Sequence, residues 1–241
     1  RSSNYPDSAP AIRGDLATKI TSSPAALLPA ALAQCLARTS LHDYLLRATE
    51  RLSATEIQHI PAVLLHLPVP ADERSSVDSE RLLKPVADHL SRLGINAQVS
   101  LSAHGYCRVR YLLPTLPPKV SLIIPTRDGV HHLRACVESV LFKSTYRNFE
   151  LLVVDNQSTD PETLRYLAAL EKHPQIRVLR YPQPFNYSAI NNFAAANALG
   201  EALCLLNDDT EIITPDWLEE MLGHLIQPGV GVVGAKLYFA D

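Results

Sequence analysis

From residue 119 onward the chain alternates between short apolar runs and segments whose apolar side chains recur every third or fourth position. Residues 120–124, 151–154, 176–179 and 202–206 read as strands, with residues 230–233 as a last one. Such runs suit strands covered on both faces, where neither side meets water. Between them, Leu133, Cys136, Val137, Val140 and Leu141 fall at helical spacing. Asp160-Pro161-Glu162 opens another helix, with a side-chain acceptor for the free amides, a proline in the first turn and an acidic residue at the positive helix end. Residues 188–199 predict an Ala/Asn-rich helix closed by Gly200, and residues 215–226 a further helix. Strict alternation of strand and helix predicts an α/β fold: a mostly parallel, Rossmann-like sheet with helices on both faces.

The preceding residues lack this rhythm. Residues 1–24, rich in Ser, Pro, Ala and Asn, read as a loose lead-in. Helical spacing appears over 25–38 and 41–54, a short strand over 60–67, and a helix over 79–93 with Gly94 placed to end it. Residues 97–101 and 106–112 alternate about His104-Gly105 and read as a hairpin, and the proline-rich residues 114–119 mark a boundary. The expected organisation is a loose segment over 1–24, a helical region over 25–75, a helix, hairpin and linker over 76–118, and the α/β domain over 119–241. The α/β domain thus follows a smaller, mainly helical α+β region.

Composition narrows the function classes. Lysine and arginine total 22 against 25 acidic residues, and neither sign forms a run, which argues against a nucleic-acid partner. Cys35, Cys107, Cys136 and Cys204 are widely spread with no CxxC pair, which fits a reducing cytosol better than a disulfide framework or a zinc cluster. The most apolar N-terminal stretch, residues 25–36, is broken by Pro29 and falls short of the roughly 20 residues that span a bilayer. No signal-peptide pattern is recognisable, and a chain that starts at Arg1 reads as a fragment.

Three apolar runs end in polar punctuation: Pro125-Thr126-Arg127-Asp128, then Asp155-Asn156 with Ser158, then Asn207-Asp208-Asp209. In an open α/β sheet, ligands collect outside the carboxyl ends of the strands. Asn207, Asp208 and Asp209 can hold Mg²⁺ or Mn²⁺ through oxygen, and such an ion bridges the diphosphate of a nucleotide; read alone, the same residues make a turn. Asp155 can accept the imino N–H of a pyrimidine or guanine base, with Asn156 and Ser158 adding hydrogen-bonding groups, or can cap the strand-to-helix turn. Thr126 and the backbone at Pro125 can meet base or ribose, and Arg127 can approach phosphate or lie solvated. Asn192 is a candidate for positioning the ligand or an exposed helix position, and His131-His132 read as solvent-facing.

Together VSLIIPTRDG, LLVVDNQSTD, the NN…ALGE helix and CLLNDDTE resemble a family 2 glycosyltransferase with a GT-A fold, over residues 119–241. The flavour is that of the bacterial O-antigen and surface-polysaccharide branch, rhamnosyltransferase-like members included. The resemblance implies inverting, metal-assisted transfer of a sugar from a nucleoside diphosphate sugar to a growing glycan or lipid-linked glycan. That acceptor implies a cytoplasmic protein, peripheral at the inner face of the membrane. Carried over by motif, Thr126, Asp128, Asp155 and Ser158 bind the nucleoside, and Asn207, Asp208 and Asp209 take the DxD position. Asn207 departs from the usual first Asp of that position, Asn191 from a common Arg and Ala194 from a common Gly. Family members carry the general base well after the DxD position, so it is expected beyond Asp241, and no residue here is assigned that role. Residues 41–70 resemble the tail of another family 2 domain, a remnant of an upstream module. The competing readings are a non-catalytic nucleotide-sugar-binding scaffold and a sugar-phosphate nucleotidylyltransferase, for which PTRDGVHH is a poor glycine-rich loop.

Overall fold

In the computed structural model the described residues are 41–50, 52–56, 61, 79–103 and 105–239. The expected lead-in, the helix over 25–38 and nearly all of the strand over 60–67 lie outside them. The chain divides into two compact units, residues 1–109 and 110–241.

The first unit contains helix α1 (Leu41–Thr49) and helix α2 (Ser79–Arg92). The helix expected over 41–54 stops at Thr49, because Ser53 starts a separate 3₁₀ turn at Ala54–Glu56. The Glu56 carboxylate accepts from the Ser53 amide and hydroxyl, both at 2.8 Å, a local closure that competes with continuing the helix. The two helices are tied by Glu50, which accepts from Arg92 Nη2 at 2.6 Å and lies 2.8 Å from His89 Nδ1. The Arg92 bond first, then the His89 bond, holds the Glu50 carboxyl down at about 2. Gly94 ends α2 as expected: at φ 68° it lets Ile95 N–H reach Leu90 C=O at 2.9 Å. Strands β1 (Ala97–Leu101) and β2 (Cys107–Tyr111) then pair in a two-stranded sheet.

The second unit carries the α/β sheet. Its elements are β3 (Val120–Thr126), α3 (Val130–Lys143), β4 (Phe149–Asp155), α4 (Pro161–Leu170), β5 (Ile176–Arg180), α5 (Tyr187–Ala196), β6 (Ala202–Leu205) and α6 (Trp217–Leu225). All four strands are parallel, in the order β5-β4-β3-β6. Alternate residues sort onto two faces. Leu122, Ile124, Leu151 and Val153 pack with Leu133, Cys136, Val137 and Val140 of α3, Leu167 of α4, and Leu218 and Leu222 of α6. Ile123, Leu152 and Val154 pack with Ile190 and Ala194 of α5. Helices therefore cover both faces, as the alternation predicted. The Asp160 carboxylate caps α4 through the Thr163 amide at 2.7 Å, again as the sequence indicated.

Two expectations for this unit fail. The helix expected over 188–199 ends at Ala196, because distant polar groups take the chain beyond it. Leu199 N–H donates to Glu150 Oε1 at 2.6 Å and Gly200 N–H to Ser121 Oγ at 2.8 Å. Gly200 is accordingly not a helix cap: a Cβ there would sit 2.5 Å from the Ser121 nitrogen and 2.8 Å from the Lys119 carbonyl oxygen. Residues 230–233 form no strand, since apolar, β-prone residues need a neighbouring strand and Val232 stands 88% exposed.

Candidate functional site

The strand order fixes where a ligand can sit. The chain lays β4 and then β5 on one side of β3, then returns to place β6 on the other, so β3 and β6 flank a topological switch point. The loops that follow those two strands carry residues 127–129 and 206–210 and come together at the carboxyl edge. A Cβ on Gly129 would lie 3.5 Å from Asp208 Oδ2, and Cys136 Sγ donates to the Asn207 carbonyl oxygen at 3.5 Å. Burial first, then the charges of Asp208 and Asp209, push the Cys136 thiol up to about 12. Cys136 is thus a buried, un-ionised wall beneath the acidic loop.

Thr126, Asp155 and Arg180 stand side by side, as the register pairs Thr126 with Asp155 and Asp155 with Arg180. Asp155 is buried, and its Oδ2 accepts from Arg180 Nη1 at 2.7 Å while Oδ1 accepts from Ser158 N–H at 3.1 Å. Thr126 is equally buried, and its hydroxyl has no hydrogen-bond partner. Next to Asp155, Asn156 is 2% exposed. Its amide nitrogen donates to the Tyr181 and Gln183 carbonyls at 3.2 and 2.8 Å, which fixes its orientation and leaves a buried Oδ1 without a partner. Unsatisfied buried polar atoms are uncommon in folded proteins and ask for an explanation; Thr126 Oγ1 and Asn156 Oδ1 are two of them, at the carboxyl ends of β3 and β4.

The remaining predicted residues are placed more variously. Pro125 is half-buried and Arg127 exposed beside the loop. Asp128 is exposed, and its carboxylate accepts from the Thr159 and Asp160 amides at 2.6 and 2.8 Å. Its own N–H donates to Ser158 Oγ at 3.1 Å. Those amide bonds, that of Asp160 first, hold the Asp128 carboxyl below the usual carboxylate range. Asp128 and Ser158 thereby lock the loop after β3 to the loop after β4, with Asp128 held at φ 51°. Asn192 is exposed, whereas Asn191 is buried, donates to the Tyr187 carbonyl at 2.8 Å and keeps an unpartnered Oδ1.

Asn207 and Asp209 are exposed and Asp208 half-buried, and Tyr187 OH lies 3.4 Å from Asn207 Oδ1. Among the described residues no three His, Cys, Asp or Glu side chains gather into a cluster able to hold a metal. An amide oxygen and two carboxylates on one loop fit a hard divalent ion only with ligand phosphate oxygens and water completing its shell, the usual way Mg²⁺ is held. Reasoning from sequence passed over Arg180 and Tyr187. An arginine closing a strand and a tyrosine opening a helix carry no motif, and only the register and the loop geometry expose them.

A parallel sheet whose polar strand ends converge at a switch point defines an α/β protein with a ligand edge outside the carboxyl ends of its strands. The family description "Glycosyl transferase family 2" matches residues 121–241, and the chain belongs to that family. It is 42% identical over 213 residues to "Uncharacterized protein y4gI" of Sinorhizobium fredii, covering 83% of this chain and 23% of that one. It is 40% identical over 212 residues to "O-antigen biosynthesis protein RfbC" of Myxococcus xanthus, covering 83% of this chain and 16% of that one. Among solved structures it is similar to the mannosyltransferase PcManGT from Pyrobaculum calidifontis in complex with GDP-Man and Mn²⁺. The identity there is 26% and the TM-score 0.44, over 50% of this chain and 36% of that one. The chain spans less than a quarter of the length of either curated relative. Among the described residues no helix is long and apolar enough to cross a membrane.

Proposed function

We propose that residues 119–241 form the donor-binding half of an inverting glycosyltransferase. It takes a sugar from a nucleoside diphosphate sugar and passes it to a growing bacterial surface glycan, free or lipid-linked. The observation that carries this reading is the row at the carboxyl edge: a buried Thr126 hydroxyl without a partner, a buried Asp155 carboxylate and a buried Asn156 oxygen without a partner. A nucleoside supplies the donors and acceptors such a row lacks. In this reading Asp155 accepts the imino N–H of the base, Thr126 and the backbone at Pro125 meet base or ribose, and Arg127 approaches phosphate. Asp128 and Ser158 act one step back, holding the two loops together, and α5 brings Tyr187 and the Asn191-Asn192 pair to the same edge.

Asn207, Asp208 and Asp209 face the diphosphate. A bound Mg²⁺ or Mn²⁺ would neutralise charge on the leaving nucleoside diphosphate. The surface-glycan acceptor is supported by the likeness to an O-antigen biosynthesis protein, and a peripheral position at the inner face of the membrane belongs to the same proposal. No described residue is assigned as general base.

Calorimetric titration of the chain with UDP, dTDP and GDP, with and without Mn²⁺, tests this. One nucleotide should bind in a metal-dependent way, and Asp155→Ala and Asp209→Ala should each weaken it at least tenfold, about 1.4 kcal/mol. Failure of all three nucleotides to bind the wild-type chain refutes the reading.

A further inference from the structure

Tyr187 is the first residue of α5 and stands 43% exposed. Its hydroxyl lies 3.4 Å from Asn207 Oδ1, and among the described residues Asn207 is its one hydrogen-bonding neighbour. Hydroxyl-to-oxygen bonds normally close to about 2.5–3.0 Å, so this contact leaves the Tyr187 proton without a well-made acceptor. We infer that Tyr187 is a further ligand contact, its hydroxyl donating to a phosphate oxygen of the nucleoside diphosphate, an inference that rests on the donor-site reading.

Both sides of the gap are held from behind. Residues 181–186, which join β5 to α5, are tied to the end of β4 by four hydrogen bonds. Tyr181 N–H donates to the Asp155 carbonyl at 2.9 Å, and Asn156 Nδ2 to the Tyr181 and Gln183 carbonyls at 3.2 and 2.8 Å. Gln157 Nε2 donates to the Gln183 carbonyl at 3.0 Å. Pro182 and Pro184, on either side of Gln183, fix their own φ and offer no N–H, so carbonyls are what the clamp can grip. Asn186 Oδ1 then accepts the Ala189 N–H at 3.0 Å and starts the helix at Tyr187. Across the gap, Cys136 Sγ holds the Asn207 carbonyl. A segment fixed in this way loses little further freedom when a ligand arrives, which is what preorganised binding requires.

The chemistry of the gap favours phosphate. Asn207, Asp208 and Asp209 offer oxygens, two of the three side chains being carboxylates, and a phosphate meeting them needs hydrogen-bond donors as well as a cation. Tyr187 brings a neutral O–H to that loop from α5. A hydrogen bond to an ionised acceptor is roughly twice as strong as one between neutral groups, so a single hydroxyl there matters to affinity.

The test is calorimetric titration of the full chain with the nucleoside diphosphate that binds wild type best in Mn²⁺, beside competition by the nucleoside of the same base. Tyr187→Phe removes the hydroxyl alone. It should weaken the diphosphate about tenfold and leave the nucleoside within about twofold of wild type. The same factor should appear in an Asn207→Ala background. Tyr187→Leu gives the comparison if Tyr187→Phe does not fold, as judged by its thermal melt. A loss below about threefold for the diphosphate, or equal losses for diphosphate and nucleoside, overturns the inference and leaves the donor site standing. So does a loss that vanishes in the Asn207→Ala background, because the hydroxyl then serves only to prop Asn207. Absence of any nucleotide binding by wild type overturns both.

Discussion

Glu150→Gln isolates the energetics of a polar lock inside the sheet. Glu150 is 4% exposed within an otherwise apolar strand, and Ser121, opposite it in register on β3, is fully buried. One oxygen accepts from Ser121 Oγ at 2.7 Å and Leu199 N–H at 2.6 Å, and the other from Arg177 Nη1 at 3.2 Å. Glutamine keeps the shape and one acceptor oxygen but presents an amide N–H₂ to Arg177. Hydrogen bonds to charged groups contribute about 1.5–3 kcal/mol and neutral ones about 0.5–1.5, so each surviving bond weakens by about 1 kcal/mol. The Arg177 arm adds little, because that side chain is 39% exposed and screened. The expected loss is therefore about 2 kcal/mol.

Urea denaturation followed by Trp217, the single tryptophan, reads the second unit alone. Burial raises the Glu150 pKa, but the bonds from Ser121, the Leu199 amide and Arg177 more than reverse this, leaving it below its ordinary 4.5. A depressed carboxyl stabilises above its unfolded pKa, and that contribution is lost as pH falls through the lower folded value. The gap between wild type and variant should be full at pH 5 to 7 and close below about 4.5. Glu150 lies five residues before Asp155 on β4, roughly 17 Å along the strand, so nucleotide affinity should be unchanged. A variant within about 0.5 kcal/mol of wild type at pH 7, or a gap that persists in acid, would refute the lock.

Two other outcomes are expected. Gly200→Ala forces a methyl group against backbone atoms of Ser121 and Lys119 and should cost about 1–3 kcal/mol in the same urea assay, with nucleotide affinity retained; a neutral result would show that the chain relaxes there freely. Burial pushes the thiols of both Cys136 and Cys204 up to about 12, so at pH 8 only about one thiol in ten thousand is ionised. Iodoacetamide followed by peptide mapping should modify both only after unfolding, and rapid labelling of either in the native protein would contradict its placement.

The strands and the three polar strand ends were legible in the sequence because both are local. An apolar run of five residues announces a covered strand, and the residue after it is the carboxyl edge wherever the sheet is parallel. What the sequence hid depends on pairing across distance. Ser121 and Glu150 look like blemishes in two apolar strands until the register sets them opposite each other. Asp128 carries a motif position, yet its carboxylate is taken by amides some thirty residues on. The choice between Asn191 and Asn192 turns on which side of α5 meets the sheet, which packing decides and composition does not. Arg180 becomes meaningful only once β5 is known to lie beside β4. The strand expected over 230–233 went wrong for the opposite reason: local propensity was present and a neighbouring strand was not.

The position of β6 has a kinetic consequence. As the chain emerges during synthesis, β3, β4 and β5 each meet a sequence neighbour and can pair at once. The crevice has no second wall until β6 returns past them, closing a loop of about 80 residues between Thr126 and Asn207. Ligand competence is then acquired only once β6 has docked. On the proposed reading a nucleotide would hold that closure in place, but would have no grip on the intermediates that precede it.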